Sequence, residues 1–384
     1  MGKIIKYKME LEVLTPVHIA GADYKSKLDK KEYLFNPNKG HLTIIDNGKF
    51  VELLIRENIF DKYVEFIKEN VNNDIHQQNR NMNLLNFLKS NSLYEDLKKF
   101  TKKEYTVSIS TEKGKINDIK LLNRNVYENP YIQGSSIKGA LVNALLVDYI
   151  LNNRNEFMAE KNNILKLAYQ TKESDIKKYK GKVKSEIKEI EKKILYNGNE
   201  SKVKRFGISV SDSYEMGNEI KINFYQDIDE QVSNRKEKYM PVIREYIETG
   251  NKFEFDITID FEELAKTKLK ISNYDELIRK LENATSYLIN NTLNLTGGTS
   301  IQNLILGANT GFHQKTIVHA LFEDKDERLQ VVKRLLHRGG KDAVGLHLND
   351  KFSPRVINRI RKQKKLELAG LVKISKVSEK EVGK

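Results

Sequence analysis

Ile4-Ile5-Lys6-Tyr7-Lys8-Met9-Glu10-Leu11-Glu12-Val13-Leu14-Thr15-Pro16-Val17-His18-Ile19-Ala20-Gly21 opens with strict alternation of apolar and charged side chains. Tyr7, Met9, Leu11 and Val13 share one face, and Lys6, Lys8, Glu10 and Glu12 share the other. A period of two marks a strand with one buried and one wet face. Pro16 has no N–H to give to a ladder, so the strand ends at Thr15-Pro16. Val17 to Gly21 then forms a short turn into a charged loop.

Outward from this strand, similar alternation recurs at Phe206, Ile208 and Val210, at Phe253, Phe255, Ile257, Ile259 and Phe261, and over 366–374. Three-four spacing predicts helices within 51–105, over 137–149 and over 274–291. Residues 104–127 read as a hairpin that turns near Gly114. Residues 152–204 read as a charged helical insertion with little core and a solvated face. Half-wet strands interleaved with helices suit an α+β fold of antiparallel sheets with helices on one face.

The chain has 384 residues, long enough for two domains. Lys plus Arg is 67 against 53 Asp plus Glu, a net charge of +14. A balance that basic favours an acidic partner such as nucleic acid. No apolar run approaches the ~20 residues of a membrane span, and the N-terminal stretch lacks a signal-peptide pattern. The absence of cysteine excludes disulfides, zinc-thiolate sites and cysteine nucleophiles, and fits a reducing cytoplasm.

Three stretches carry candidate binding chemistry. In Gly134-Ser135-Ser136-Ile137-Lys138-Gly139, Ser135 or Ser136 suits an N-cap, and a helix N-terminus with Lys138 nearby is ready for a phosphate. An ordinary capped helix fits the same residues. In the second stretch, Gly297, Gly298, Gly307 and Gly311 permit close backbone approach, while Asn309, Thr310, His313 and Lys315 supply donors. No Gly-Lys-Ser/Thr is present at P-loop spacing, and plain turn glycines remain an alternative. The third, 351–365, holds Arg355, Arg359 and Arg361 with no acidic residue. Nucleic acid or a solvated surface helix explains it equally.

The seven histidines show no metal-ligand spacing, and no cofactor or metal is expected. His18 is a candidate general base for metal-independent RNA cleavage, or a hydrogen-bonding turn residue. Asp23 and Asp29 follow it in a polar loop and are given no catalytic role.

Residues 14–21 resemble the opening of RAMP-superfamily CRISPR proteins. Ile132-Gln133-Gly134-Ser135-Ser136-Ile137-Lys138-Gly139-Ala140-Leu141 is similar to their "PGSSLKGALR" segment, with Gln133 in place of proline and Val142-Asn143 where an arginine is common. Residues 206–213 resemble their next core strand, and 306–312 their second glycine-rich loop. Order and separation fit best the fifth-subunit group of type III-A (Csm) effector complexes.

That resemblance implies two RRM-like (ferredoxin-like) domains, 1–235 with helical insertions near 51–100 and 152–204, and 236–384 with the glycine-rich loop. It implies a cytoplasmic, non-catalytic crRNA-binding subunit that caps the 3′-end side of the guide and serves crRNA maturation and antiviral defence. The partners implied are crRNA, neighbouring backbone and small Csm subunits, and host exoribonucleases. Joined with the basic stretches, it gives an RNA-binding set of His18, Gly21, Gly134, Ser135, Ser136, Lys138, Gly307, Asn309, Thr310, Gly311, His313, Lys315, Arg355, Arg359 and Arg361. The alternative is a metal-independent endoribonuclease acting on crRNA precursors, with His18 or His313 as base. A third reading is an assembly scaffold that does not touch RNA.

Overall fold

The computed structural model describes residues 4–20, 26–36, 38–72, 84–107, 116, 118–170, 175–196, 206–216, 219–292, 302–336, 351, 353 and 355–382. Its centre is the strand Ile4–Val13, with Ile5, Tyr7, Met9, Leu11 and Val13 buried as the alternation requires. It pairs antiparallel on one side with Lys252–Asp260, where Met9 faces Phe255 and Leu11 faces Phe253. On the other side it pairs antiparallel with Leu371–Glu381. On the wet face the charges form a diagonal ladder: Lys6–Asp256 at 2.9 Å, Lys8–Glu254 at 2.7 Å and Lys252–Glu10 at 2.9 Å. One strand thus satisfies both neighbours with one alternating pattern.

Among the described residues the strands form two six-stranded sheets and one of three strands. The first sheet runs Leu304–Ile305, Leu371–Glu381, Ile4–Val13, Lys252–Asp260, Ile208–Val210, with Tyr214–Glu215 also on Lys252–Asp260. Two helices, Gly134–Asn152 and Tyr274–Tyr287, pack together beneath it. Ile137, Leu141, Leu145, Leu277 and Leu281 sit in the main core. Lys280 reaches the buried Asp148 carboxylate at 3.3 Å and ties the two helices. Gly134–Asn152 is long and apolar enough to cross a membrane, but half of it is buried within the protein.

The second sheet runs Lys365–Glu367, Val356–Lys362, Ile222–Gln231, Glu237–Ile247, Asp118–Lys120, Lys27–Leu28. Its central hairpin pairs Glu237 with Glu230 and Ile247 with Ile222, so its turn lies across 235/236. Both six-stranded sheets draw strands from each side of that point. The expected division into 1–235 and 236–384 therefore does not separate the sheets. Periodicity reveals strands but not their partners, and here the first and last strands of the chain are neighbours.

Two further expectations are corrected. Thr101–Thr106 and Asp118–Lys120 are not hairpin partners: the first pairs with His41–Ile45 and the second with Glu237–Ile247 and Lys27–Leu28. The 152–204 region is not core-poor either. In Ile176–Leu195, Ile176, Tyr179, Val183, Ile190 and Ile194 are buried against Met158–Gln170 and Lys325–Leu336. Tyr179 donates from its hydroxyl to the Val331 carbonyl at 3.3 Å. One apolar residue per turn suffices for that stripe, and the lysines between them hid it. The helices within 47–100 enclose a separate small core around Phe50, Leu54, Leu88 and Phe100.

Candidate nucleic-acid interface

The turn after the first strand joins both large sheets. Val17 exchanges two backbone bonds with Ile247 of the second sheet, at 3.0 and 2.8 Å. Pro16 O accepts from Gly370 N at 3.0 Å, and His18 O accepts from Ala308 N at 2.8 Å. Ile19 O accepts from Asn123 N at 2.9 Å. Each unpaired strand-end carbonyl thus finds a partner on a different segment.

His18 itself is fully buried. Its Nδ1 lies 2.7 Å from the Glu245 carbonyl, which can only accept, so Nδ1 carries the proton. Nε2 is buried and has no hydrogen-bond partner. Burial, followed by the positive charges of Arg244, Lys120 and Lys315, pushes its pKa down to about 3. This neutral imidazole braces the turn, as the hydrogen-bonding turn reading expects. Its full burial runs against the readings of His18 as an RNA contact and as a general base.

The 306–315 loop rests on this turn. Gly307 has φ +94°, and a Cβ there would meet His18 O at 2.5 Å, so glycine is required. Asn309 turns inward, donating to the Tyr246 hydroxyl at 3.1 Å and the Arg359 carbonyl at 3.4 Å. Thr310 is buried and donates to Gly307 O at 3.2 Å. Tyr246 is fully buried and donates to Asp227, whose carboxylate is held by Arg244 at 2.8 Å. Burial raises the pKa of both Tyr246 and Asp227. Asn309 and Thr310 are thus bracing residues rather than ligand donors. Gly311, also left-handed, leads into the short turn Phe312–Lys315 that contains His313. The His313 side chain and all of Gly21 lie outside the described residues.

Lys315 ends that turn, exposed and with no ion pair among the described residues. Desolvation by the surrounding protein, then the charge of Arg244, lowers its pKa. Lys120, missed by sequence reasoning, is also partly exposed and unpaired among the described residues. Lys120 stands opposite Arg244 in the parallel pairing of the second sheet. Lys120, Lys315 and Arg244 therefore gather around the His18 turn.

The 134–139 turn is held differently. Neither serine caps the helix: Gln133 is the N-cap, and Asp212 supplies the acceptor, taking Gly134 N at 2.7 Å. Ser213 exchanges two bonds with Ile132, both 2.9 Å. Ser135 is exposed, while Ser136 and Lys138 are partly buried, with no ion pair for Lys138 among the described residues. The cluster Ser211-Asp212-Ser213 had the composition of a cap, but nothing in sequence links it to residue 134. Farther along the helix, Asn143 donates to Gln314 O at 3.0 Å. The position where an arginine is common thus holds the loop through an amide.

The basic C-terminal stretch is a strand, Val356–Lys362, and its arginines are engaged internally. Arg359 is buried against Glu230 at 2.8 Å, and Arg361 pairs with Glu237 and bonds the Tyr239 hydroxyl at 3.1 Å. Arg355 stands at the strand's start, its carbonyl accepting from Val232 N at 3.0 Å. The expectation that Arg359 and Arg361 contact RNA is corrected accordingly. A cleft of about 1100 Å³ opens toward the opposite edge of the same sheet, lined in part by Lys27, Lys102, Tyr105, Arg124 and Glu245. Its cations are largely paired, Lys102 with Glu128 at 3.8 Å, Lys27 with Asp118 and Arg124 with Glu245, so it is no cationic groove.

The model of the RAMP superfamily matches residues 10–310, from the first strand through the glycine loop. The chain belongs to the RAMP superfamily. A curated relative, the CRISPR system protein Csm5 of Streptococcus thermophilus, is 26% identical over 275 residues. That alignment covers 68% of this chain and 66% of the relative, just under two thirds of its length. Among solved structures, a chain of the Csm–crRNA–target RNA ternary complex of a type III-A CRISPR-Cas system matches with TM-score 0.61 and 17% identity, covering 96% of this chain and 100% of that one. The crystal structure of T. onnurineus Csm5 matches with TM-score 0.53 and 14% identity, covering 94% and 99%. At those identities the structural likeness establishes a shared RAMP fold, here mixed α+β with antiparallel sheets.

Proposed function

We propose that this RAMP protein is the Csm5-type subunit of a cytoplasmic type III-A CRISPR-Cas complex, holding crRNA at the 3′-end side of the guide without cutting it. The observation that carries this reading is the gathering around the His18 turn of Lys315 and Lys120, neither with an ion pair among the described residues. The loop that presents Lys315 is braced from below by Tyr246, Asp227 and Asn143, so the cation is presented at little ordering cost. Such a surface grips phosphates and leaves base identity unread. The family membership and the Csm5 relative support the assignment to that complex, with neighbouring Csm subunits as partners. Maturation of the crRNA 3′ end by host exoribonucleases belongs to the same proposal.

The strand order Leu371–Glu381, Ile4–Val13, Lys252–Asp260, Ile208–Val210, with two helices on one face, fits a ferredoxin-like (RRM-like) module closed by the two ends of the chain. The second sheet is taken as its partner module. The endoribonuclease reading loses its main base, because a buried neutral His18 cannot take a proton from a bound RNA.

The test is binding of the full chain to labelled single-stranded RNA across a salt series, with and without EDTA. Binding without cleavage is expected. Lys120→Gln/Lys315→Gln should lower the salt slope by about 1.4, at ~0.7 per phosphate contact. An unchanged slope refutes this surface, and cleavage that survives EDTA refutes the non-catalytic reading. Absence of binding leaves the scaffold reading.

A further inference from the structure

The helix Ile176–Leu195 is divided in charge. From Ile176 to Ser185 it has lysines at 177, 178, 180, 182 and 184 and no acidic residue, while Glu186, Glu189 and Glu191 lie in its second half. Two of the three lysines of the second half are engaged: Lys192 lies 3.3 Å from Glu189, and Lys193 pairs with Glu160. Among the described residues none of the five in the first half has an ion pair. Lys177, Lys180 and Lys184 follow three-four spacing and form one row, which Lys188 extends to roughly 16 Å at 1.5 Å per residue.

This order of charge opposes the helix itself. The N-terminal end of a helix favours acids and the C-terminal end bases, and like charges three or four residues apart repel. Gly181 adds to the conflict. It lies in the helix interior, where glycine is less favourable than alanine. A Cβ built there meets nothing within 4 Å, so no internal contact requires its absence. Gly181 is exposed between the lysines and leaves the helix backbone open to close approach. The buried stripe of Tyr179, Val183 and Ile190 holds the helix in place despite these penalties. Beside it, in the last turn of the Met158–Gln170 helix that packs against this one, Tyr169 is 60% exposed. A row of uncompensated cations, a bare backbone between them and a free aromatic face together suit a single strand of nucleic acid, through phosphate contact and base stacking.

We infer that the first half of this helix is a second RNA-binding surface, which takes a single-stranded segment with its backbone over Gly181 and its phosphates on Lys177, Lys180 and Lys184. It uses no residue of the His18–Lys315 site and borrows from the proposed function only the identity of the polyanion.

The experiment compares the full chain with Lys177→Gln/Lys180→Gln/Lys184→Gln, with the matching triple Arg variant and with Gly181→Gln, on a labelled 40-nucleotide single-stranded RNA. The Gln triple should reduce the salt slope by about 2, shrinking the affinity ratio between 50 and 200 mM salt about twentyfold, while the Arg triple keeps it. Gly181→Gln should weaken binding with every lysine still present. In the Lys120→Gln/Lys315→Gln background the same loss should add, which separates failure of one surface from failure of the other. An unchanged slope in the Gln triple overturns the inference. So does polyglutamate that binds as tightly as RNA and is lost in the same triple, since the surface would then be one for an acidic polypeptide.

Discussion

Replacing Gly134 and Gly139 by alanine should move stability in opposite directions, although the two stand five residues apart in one motif. At Gly134 the new Cβ would lie 2.4 Å from Ser211 O, 2.5 Å from Ser211 C and 2.6 Å from Val210 O. All three are backbone atoms, so no side chain can rotate away. Relief to an ordinary 3.4 Å contact separates the helix start from the strand end by about 1 Å. That movement breaks the bond from Gly134 N to the Asp212 carboxylate, worth about 1.5–3 kcal/mol with a charged acceptor. It also stretches the two Ile132–Ser213 bonds, each worth about 1 kcal/mol. A net loss of about 2–4 kcal/mol is expected. At Gly139, exposed within the same helix, a Cβ meets nothing within 4 Å, and alanine should add about 0.5–1 kcal/mol. Urea unfolding, followed by far-UV circular dichroism and tyrosine fluorescence together, measures both changes and exposes any core that unfolds separately. Gly134→Ala within 0.5 kcal/mol of the parent, or Gly139→Ala less stable than the parent, would refute the packing described for this motif.

His18, with its pKa near 3 in the fold and about 6.5 unfolded, binds protons more readily unfolded, so the stability it contributes is complete above about pH 6.5 and is lost as pH falls toward 3. Between pH 6.5 and 5 the parent should lose about 1.6 kcal/mol that His18→Asn does not lose; parallel pH–stability curves would count against a buried neutral imidazole. Arg124→Met leaves the Glu245 carboxylate, 1% exposed, with the Leu122 N–H at 2.9 Å as its one remaining hydrogen-bond partner among the described residues, and should cost about 3–5 kcal/mol in urea unfolding. A change under 1 kcal/mol would show that the pair is not closed in solution. Arg359→Met should destabilise by a similar amount yet leave the RNA salt slope unchanged, because this arginine is committed to Glu230. A slope lowered by about 0.7 would return it to the RNA surface.

What the sequence revealed, and what it hid, follows from the range of the forces involved. The first strand was legible because alternation is local: Tyr7, Met9, Leu11 and Val13 need only one buried face, and they have it on both pairings. The loop glycines were legible as special, since Gly307 pressed on the His18 carbonyl admits no other residue. What failed was every inference that needed a partner. Arg359 and Arg361 read as free cations because the acids that hold them, Glu230 and Glu237, come from a hairpin over a hundred residues earlier. His18 read as a hydrogen-bonding turn residue, but its functional readings stayed open because nothing nearby in sequence predicts a fully buried imidazole bonded to Glu245 O. Ser135 and Ser136 read as caps because the acceptor used, Asp212, arrives from another strand. In each case composition identified a charged or polar group correctly, and tertiary pairing decided whether it faced inward. Two lysines in the motif-bearing segments, Lys138 and Lys315, keep their expected freedom because no acid is folded against them among the described residues. A basic residue in this chain therefore becomes evidence for RNA only after its internal partners have been subtracted. The Lys120–Lys315 surface and the lysine row of the Ile176–Leu195 helix survive that subtraction among the described residues.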